Sequence, residues 1–104
     1  MEVTKTYFDQ LMEDKDFRIK LAEEFLLLEA TETIAKAMKK RKMTVAKLAE
    51  KMGVSQGYLR NLIAGGRNLN LSSLARVLHH LGYEASISIH PTYNGTEAEV
   101  ESNE

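Results

Sequence analysis

The stretch Met43-Thr44-Val45-Ala46-Lys47-Leu48-Ala49-Glu50-Lys51-Met52-Gly53-Val54-Ser55-Gln56-Gly57-Tyr58-Leu59-Arg60-Asn61-Leu62 decides the fold of this chain. Leu48, Ala49 and Met52 fall on one face of a first helix. Gly53 supplies the left-handed backbone that a tight helix end needs. Val54 plugs the corner, and Ser55 has the side-chain oxygen to cap a second helix. Leu59 and Leu62 form that helix's inward stripe. Ala49 is small where the two helices cross closest.

Three helices begin with one signature. Met43-Thr44…Leu48, Val54-Ser55…Leu59 and Leu69-Asn70…Leu74 each place an apolar residue, a capping residue and an apolar residue four beyond the cap. That is a hydrophobic staple. It predicts helices at about 44–52, 55–64 and 70–81, the second ended by Gly65-Gly66 and the third by Gly82. Upstream, Phe17, Leu21, Phe25 and Leu28 recur at helical spacing, as do Leu27, Ala30, Ile34, Ala37 and Met38. The reading is one long helix, about 16–41, whose apolar stripe shifts around it near Phe25–Leu28. A break near Thr31–Thr33 is the alternative. The later half packs on the helices downstream, and the earlier half on a first short helix or on a partner chain. Tyr7, Phe8, Leu11 and Met12 suggest that first helix, and Asp14 or Asp16 caps the long one. The cations Lys39-Lys40-Arg41-Lys42 suit a helix C-terminus.

After Gly82 the period changes to 2. Tyr83, Ala85, Ile87 and Ile89 share one face, and Glu84, Ser86, Ser88 and His90 the other. This predicts one strand over 84–90, stopped by Pro91. A lone strand leaves its backbone groups unpaired. Two arrangements are open: Ala85, Ile87 and Ile89 mark an antiparallel pairing with the same strand of a second protomer, or the segment lies along its own helices. From Thr92 onward the chain is polar and acidic, and 92–104 is expected to be disordered. The expectation is therefore an all-α, five-helix domain over 1–91 with a C-terminal strand paired across a dimer.

The 104 residues carry a net charge of −1 that hides a strong asymmetry. Residues 1–35 hold four basic and nine acidic side chains, net −5; residues 36–83 hold ten basic and one acidic, net +9; residues 84–104 hold five acidic and none basic, net −5. A basic block that coincides with the two stapled helices is what a polyanion partner requires. The chain has no cysteine, which removes disulfides and thiolate metal sites and fits the cytoplasm. No apolar run approaches the roughly 20 residues of a membrane span, and the start lacks a signal peptide's apolar stretch.

Enzymatic readings do poorly. His79 and His80 are adjacent on a helix and point about 100° apart, so they cannot chelate one ion together. Ser55, Ser72 and Ser73 read as caps or helix starts. Asp9, Glu13, Asp14 and Asp16 cluster where helix starts favour acids and lack calcium-loop spacing. Gly65-Gly66 has neither the preceding strand nor the trailing Lys-Ser or Lys-Thr of a phosphate loop. No catalytic residue, cofactor or metal is expected.

Over 26–83 the chain resembles the lambda-repressor-like, Cro/Xre class of helix-turn-helix domains. The likeness rests on Leu48, Ala49, Gly53, Val54, Ser55, Leu59, Leu62, Gly65, Leu74 and Leu81-Gly82. It implies that the helix 55–64 lies in the major groove of double-stranded DNA, with Gln56, Gly57, Arg60 and Asn61 facing bases and Tyr58 near the backbone or a thymine methyl. The chemistry agrees in kind: Gln56 and Asn61 carry amides suited to adenine, and Arg60 a guanidinium suited to guanine. Gly57 only permits close approach. Thr44, Lys47, Ser55, Arg67 and Asn68 are placed for phosphates, and Lys39, Lys40, Arg41, Lys42 and Lys51 for non-specific contacts. The chain departs from many relatives at Val45, where they carry glutamine, and at Lys47, where they carry the glutamate that completes a capping box with Thr44. The expected function is a sequence-specific, homodimeric regulator of transcription, a repressor in its simplest form. The layout also resembles HigA-type antitoxins, which implies as an alternative that the acidic arm 1–35, the strand or the tail holds a small basic toxin.

Overall fold

The computed structural model describes residues 6–92. Among them are five α-helices: α1 Tyr7–Leu11, α2 Lys15–Arg41, α3 Val45–Met52, α4 Gln56–Ile63 and α5 Leu71–His80. The expected 92–104 tail, from residue 93 onward, lies outside the described residues.

Each helix starts where a short polar side chain meets its free backbone donors. Thr44 Oγ1 accepts from Lys47 N at 3.1 Å, Ser55 Oγ from Tyr58 N at 3.0 Å, and Asn70 Oδ1 from Ser73 N at 2.9 Å. Met43, Val54 and Leu69, the residues before those caps, are half-buried against the core, as a staple requires. At Asn70 the box is reciprocal, because Ser73 Oγ accepts from Asn70 N at 2.8 Å. Ser73 Oγ also donates toward Asn68 O at 2.6 Å, so this buried hydroxyl is satisfied. Thr44 has no such return bond, since Lys47 offers no acceptor.

α2 is one unbroken helix of 27 residues, about 40 Å long at 1.5 Å per residue. Asp14 caps it, accepting from Asp16 N and Phe17 N. Thr31 and Thr33 do not interrupt it. Their hydroxyls donate back to Leu28 O and Glu29 O, both at 2.8 Å, inside the helix's own surface. At its far end Lys42 turns left-handed, with φ 53°, and Met43 N reaches back to Met38 O at 2.9 Å.

The core is built from Ile34 and Ala37 of α2, Leu48 and Ala49 of α3, Leu59 and Leu62 of α4, and Val77, Leu78 and Leu81 of α5 and its end. Ile34, Leu48, Leu59 and Val77 are fully inaccessible. α3 and α4 meet through Leu48, Ala49, Leu59 and Leu62, with Gly53 left-handed at φ 73° between them. A Cβ on Gly53 would meet nothing within 4 Å, so backbone conformation and not space demands the glycine there.

One residue that the sequence placed among the DNA-facing cations has a different role. Arg41 Nε donates to Leu81 O at 2.8 Å and Nη2 to Gly82 O at 3.2 Å, and its guanidinium lies 4.3 Å from the Tyr83 ring centroid. Leu81 and Gly82 follow the end of α5, and a planar fork holds both of their carbonyls at once. Arg41 is therefore a clamp between the ends of α2 and α5 rather than a free surface charge.

Residues 83–92 lie in no helix and no strand. The 84–90 strand expected from the sequence does not form: among the described residues no segment pairs with it to exchange ladder hydrogen bonds. Its first part, Tyr83–Ser86, borders a shallow hollow with Thr33, Lys36, Ala37 and Lys40 of α2. Ile87 and Ile89 are 75% and 93% exposed.

Arg41→Met removes both carbonyl contacts and the stacked cation while keeping the stem. It should lower stability by about 1–3 kcal/mol, and Arg41→Lys should recover only part of that. Thermal melts followed by circular dichroism measure both.

Candidate nucleic-acid interface

The buried stripe of α4 determines what its other side presents. Leu59 and Leu62 face inward and Tyr58 and Ile63 are half-buried beside them. At about 100° per residue, Gln56, Arg60, Gly57 and Asn61 then follow one another around the opposite side. All four are exposed. Gln56 and Arg60 stack one turn apart, as do Gly57 and Asn61.

Gly57 interrupts this polar face. A Cβ there would meet nothing within 4 Å, and its φ is not positive. Neither packing inside the chain nor backbone geometry accounts for a glycine at this helical position, where it costs helix stability.

Asn61 is less free than its neighbours. Its carbonyl accepts from Gly66 N at 2.8 Å, closing the end of α4. A Cβ on Gly66 would overlap Asn61 Oδ1 and lie only 2.7 Å from Asn61 O. The side-chain amide of Asn61 is thus seated against the turn. Gly65, left-handed at φ 85°, rests on α2: a Cβ there would touch Leu27 and Thr31 at 3.4–3.6 Å. Ser55 and Thr44 spend their oxygen lone pairs on caps, but each hydroxyl keeps its own proton to donate to a phosphate. Tyr58 packs partly into the core, so only part of its ring is available outside. Arg67 and Asn68 are exposed in the turn after α4.

The cations of the basic block are uncommitted to acids. Among the described residues the ion pair Lys20–Glu24 sits on the first half of α2, and none involves a cation of residues 36–83. Lys39, Lys40, Lys42, Lys47, Lys51, Arg60, Arg67 and Arg76 are all exposed. Lys47 and Lys51 lie together beside Met43 and Glu50. Such a field of one sign attracts a polyanion and, set beside amide and guanidinium donors, can hold one in register. Ala85, Ile87 and Ile89 are also exposed but belong to the segment after α5 and are not part of this face. Among the described residues no three His, Asp or Glu side chains converge as a metal site, and no helix is long and apolar enough to cross a membrane.

Two features escaped the sequence reading: the Arg41 clamp and the Asn61–Gly66 seat. Arg41 stands in a run of four cations, and nothing in the run distinguishes it. The second glycine of Gly65-Gly66 was legible as a helix stop, but not as the space that Asn61 fills.

Gly66→Ala should therefore displace the Asn61 side chain and strain the end of α4. The expected loss is about 1–3 kcal/mol, as for overpacking. The Asn61 amide resonances should move in a nitrogen–proton NMR spectrum, whereas Gly57→Ala leaves them nearly in place.

Comparison with known proteins agrees with this geometry. A family model described as helix-turn-helix matches residues 34–87, just over half of the chain. Neither the search of curated proteins nor that of solved structures returns a match. The matched region starts inside α2 at Ile34, later than the 26–83 expected, and runs on to Ile87. It contains all of α3, α4 and α5 with the corner at Gly53. The chain belongs to the Cro/C1-type helix-turn-helix family of DNA-binding regulators.

Proposed function

We propose that this chain is a sequence-specific, homodimeric repressor that reads the major groove with α4. The observation that carries the reading is the exposed face Gln56–Gly57–Arg60–Asn61, set opposite Leu59 and Leu62 in a segment whose exposed cations have no acidic partner among the described residues. Each position has chemistry suited to DNA. Gln56 presents an amide donor–acceptor pair for adenine and Arg60 a two-pronged donor for guanine, and Asn61 carries a second amide, which leaves its seat against Gly66 to meet a base. Gly57 leaves a gap through which the α4 backbone can approach the base edges. Thr44, Ser55, Lys47, Arg67 and Asn68 surround the face as phosphate partners that set register, with Tyr58 beside them.

Dimerisation follows from the segment after α5. Residues 84–90 carry an alternating apolar row, Ala85, Ile87 and Ile89, with no ladder among the described residues. Antiparallel pairing with a second copy satisfies that backbone. A two-fold dimer then carries two copies of α4 about 34 Å apart and reads a pseudo-palindrome. Bound over a promoter, such a dimer blocks access, which makes repression the simplest outcome.

Selection of bound duplexes from a random pool tests specificity and spacing together. A palindromic consensus with half-sites about one helical turn apart is expected; recovery of unselected sequence would end the reading. With about three to five phosphates held per protomer, the log affinity against log salt slope should be about −5 to −9. Arg60→Ala should relax preference at one base pair by about 1–3 kcal/mol. Lys47→Ala should weaken all sequences alike and make the salt slope shallower. Gly57→Ala separates fold from function: it should raise stability by about 0.5–1 kcal/mol while weakening operator binding.

A further inference from the structure

The first half of α2 carries an apolar stripe that the domain does not use. Phe17, Leu21, Phe25 and Leu28 recur at i, i+4, i+8 and i+11. At 100° per residue they lie well around the helix from Leu27, Ile34 and Ala37, which face the core and the α4 turn. α1 covers only the beginning of the stripe: Phe8 meets Phe17 edge-on, with ring centroids 6.4 Å apart. Further along, Phe25 is 61% exposed and Leu28 53%. This arm also lies outside the region that matches the family, which begins at Ile34.

We propose that the stripe is the seat of a cationic amphipathic helix belonging to another protein. The proposal goes beyond the DNA reading and does not depend on it. Charge selects the occupant. Residues 6–35 hold eight acids and three cations, net −5. The cations stand in the lower half, and two of them are engaged. Lys20 pairs with Glu24 at 3.5 Å, and Arg18 Nη1 donates to Met12 O at 2.7 Å. Even there Asp9, Glu13, Asp14 and Asp16 outnumber them, and residues 21–35 hold Glu23, Glu24, Glu29 and Glu32 with no cation. All of these acids are exposed.

The acids also stand where a partner on the stripe would meet them. By helical phase Glu24 and Glu29 fall on its two sides. Phe25, Leu28, Glu29 and Glu32 line one shallow hollow, which Lys36, the first cation of the basic block, closes at the core-ward end. An apolar patch rimmed by charge marks a protein contact, and here the rim has one sign. A second copy of this arm brings net acid against net acid in either direction. An anionic lipid surface and a nucleic acid are repelled for the same reason. A cationic protein surface is attracted. The stripe is a straight row about 17 Å long, at 1.5 Å per residue. A partner helix with apolar residues at i, i+3, i+4 and i+7 can lie along such a row, with its flanking lysines or arginines reaching Glu29 and Glu32.

A designed peptide serves as the probe. It is a labelled helix of about 18 residues, or five turns, with one leucine stripe flanked by lysine. One control scrambles the same composition, and another replaces lysine with glutamate. Fluorescence anisotropy against the full chain should show saturable micromolar binding, at least about 10-fold tighter than for either control. Phe25→Gln with Leu28→Gln should weaken it by about 10-fold or more. Glu29→Gln with Glu32→Gln should weaken it by about 3–10-fold and flatten its salt dependence. All four side chains are exposed, so far-ultraviolet circular dichroism should stay unchanged. In a nitrogen–proton NMR spectrum the peptide should shift the amides around Phe25 and Leu28 and leave those of α4 in place. No saturation by about 100 μM, equal binding of either control, or unchanged affinity in the Phe25→Gln, Leu28→Gln variant overturns the proposal. So does movement of the stripe's own amides on dilution without peptide, which assigns the face to a second copy. Binding of a half-site duplex is measured separately and should survive both double variants. Its absence in the wild type would remove the DNA reading and leave the peptide result standing.

Discussion

The packing of α3 on α4 is the constraint on which the rest of the molecule depends. Ala49 of α3 is 1% exposed, its single methyl buried in the core. Leu48, Leu59 and Leu62 share that core, together with Ile34 of α2. Because α4 is only eight residues long, it is too short to hold its own shape in water. Its helicity comes from this packing and from the Ser55 cap. Its outward face is the complement of its buried stripe, so the position of Arg60 and Gln56 is decided by where Leu59 and Leu62 are held.

The ends of the domain are fixed by a different interaction. Arg41 ties the C-terminus of α2 to that of α5 and stacks on Tyr83, where the chain leaves the helical domain. A charge-assisted hydrogen bond to a backbone carbonyl is stronger than a neutral one, and here one side chain makes two such contacts just past α5. The direction in which residues 84–90 set out is therefore coupled to the core. Gly82 belongs to the same arrangement, with left-handed φ 82° and Arg41 Nη2 only 3.3 Å from where a Cβ would stand.

Much of this was legible in the sequence because it is local. Caps, staples and glycine stops act within four residues, and each of Thr44, Ser55 and Asn70 sits at the start of the helix it was read to begin. The predicted ranges ran a residue wide because they included the caps. The unbroken α2 was harder to read, since two threonines weaken a helix unless their hydroxyls bond back to it, as Thr31 and Thr33 do. What could not be read was long-range. Arg41 meets Leu81 forty residues away, and one cation among four carries no mark of that. Asn61 looked like a free base reader, yet its amide rests on Gly66, a relation that depends on how the turn folds back. Alternation over 83–89 was real, but a strand requires a neighbour, and periodicity alone cannot supply one.

The continuity of α2 has a mechanical consequence. A single rod carries the outer arm at one end and, through Ile34 and Ala37, part of the core under α4 at the other. No joint lies between them, so the molecule works as a caliper whose opening is set by helical phase. One residue inserted near Thr31 would swing the arm by about 100° and lengthen the rod by about 1.5 Å. The same insertion beyond Arg41 would be taken up by the corner, leaving the gauge unchanged.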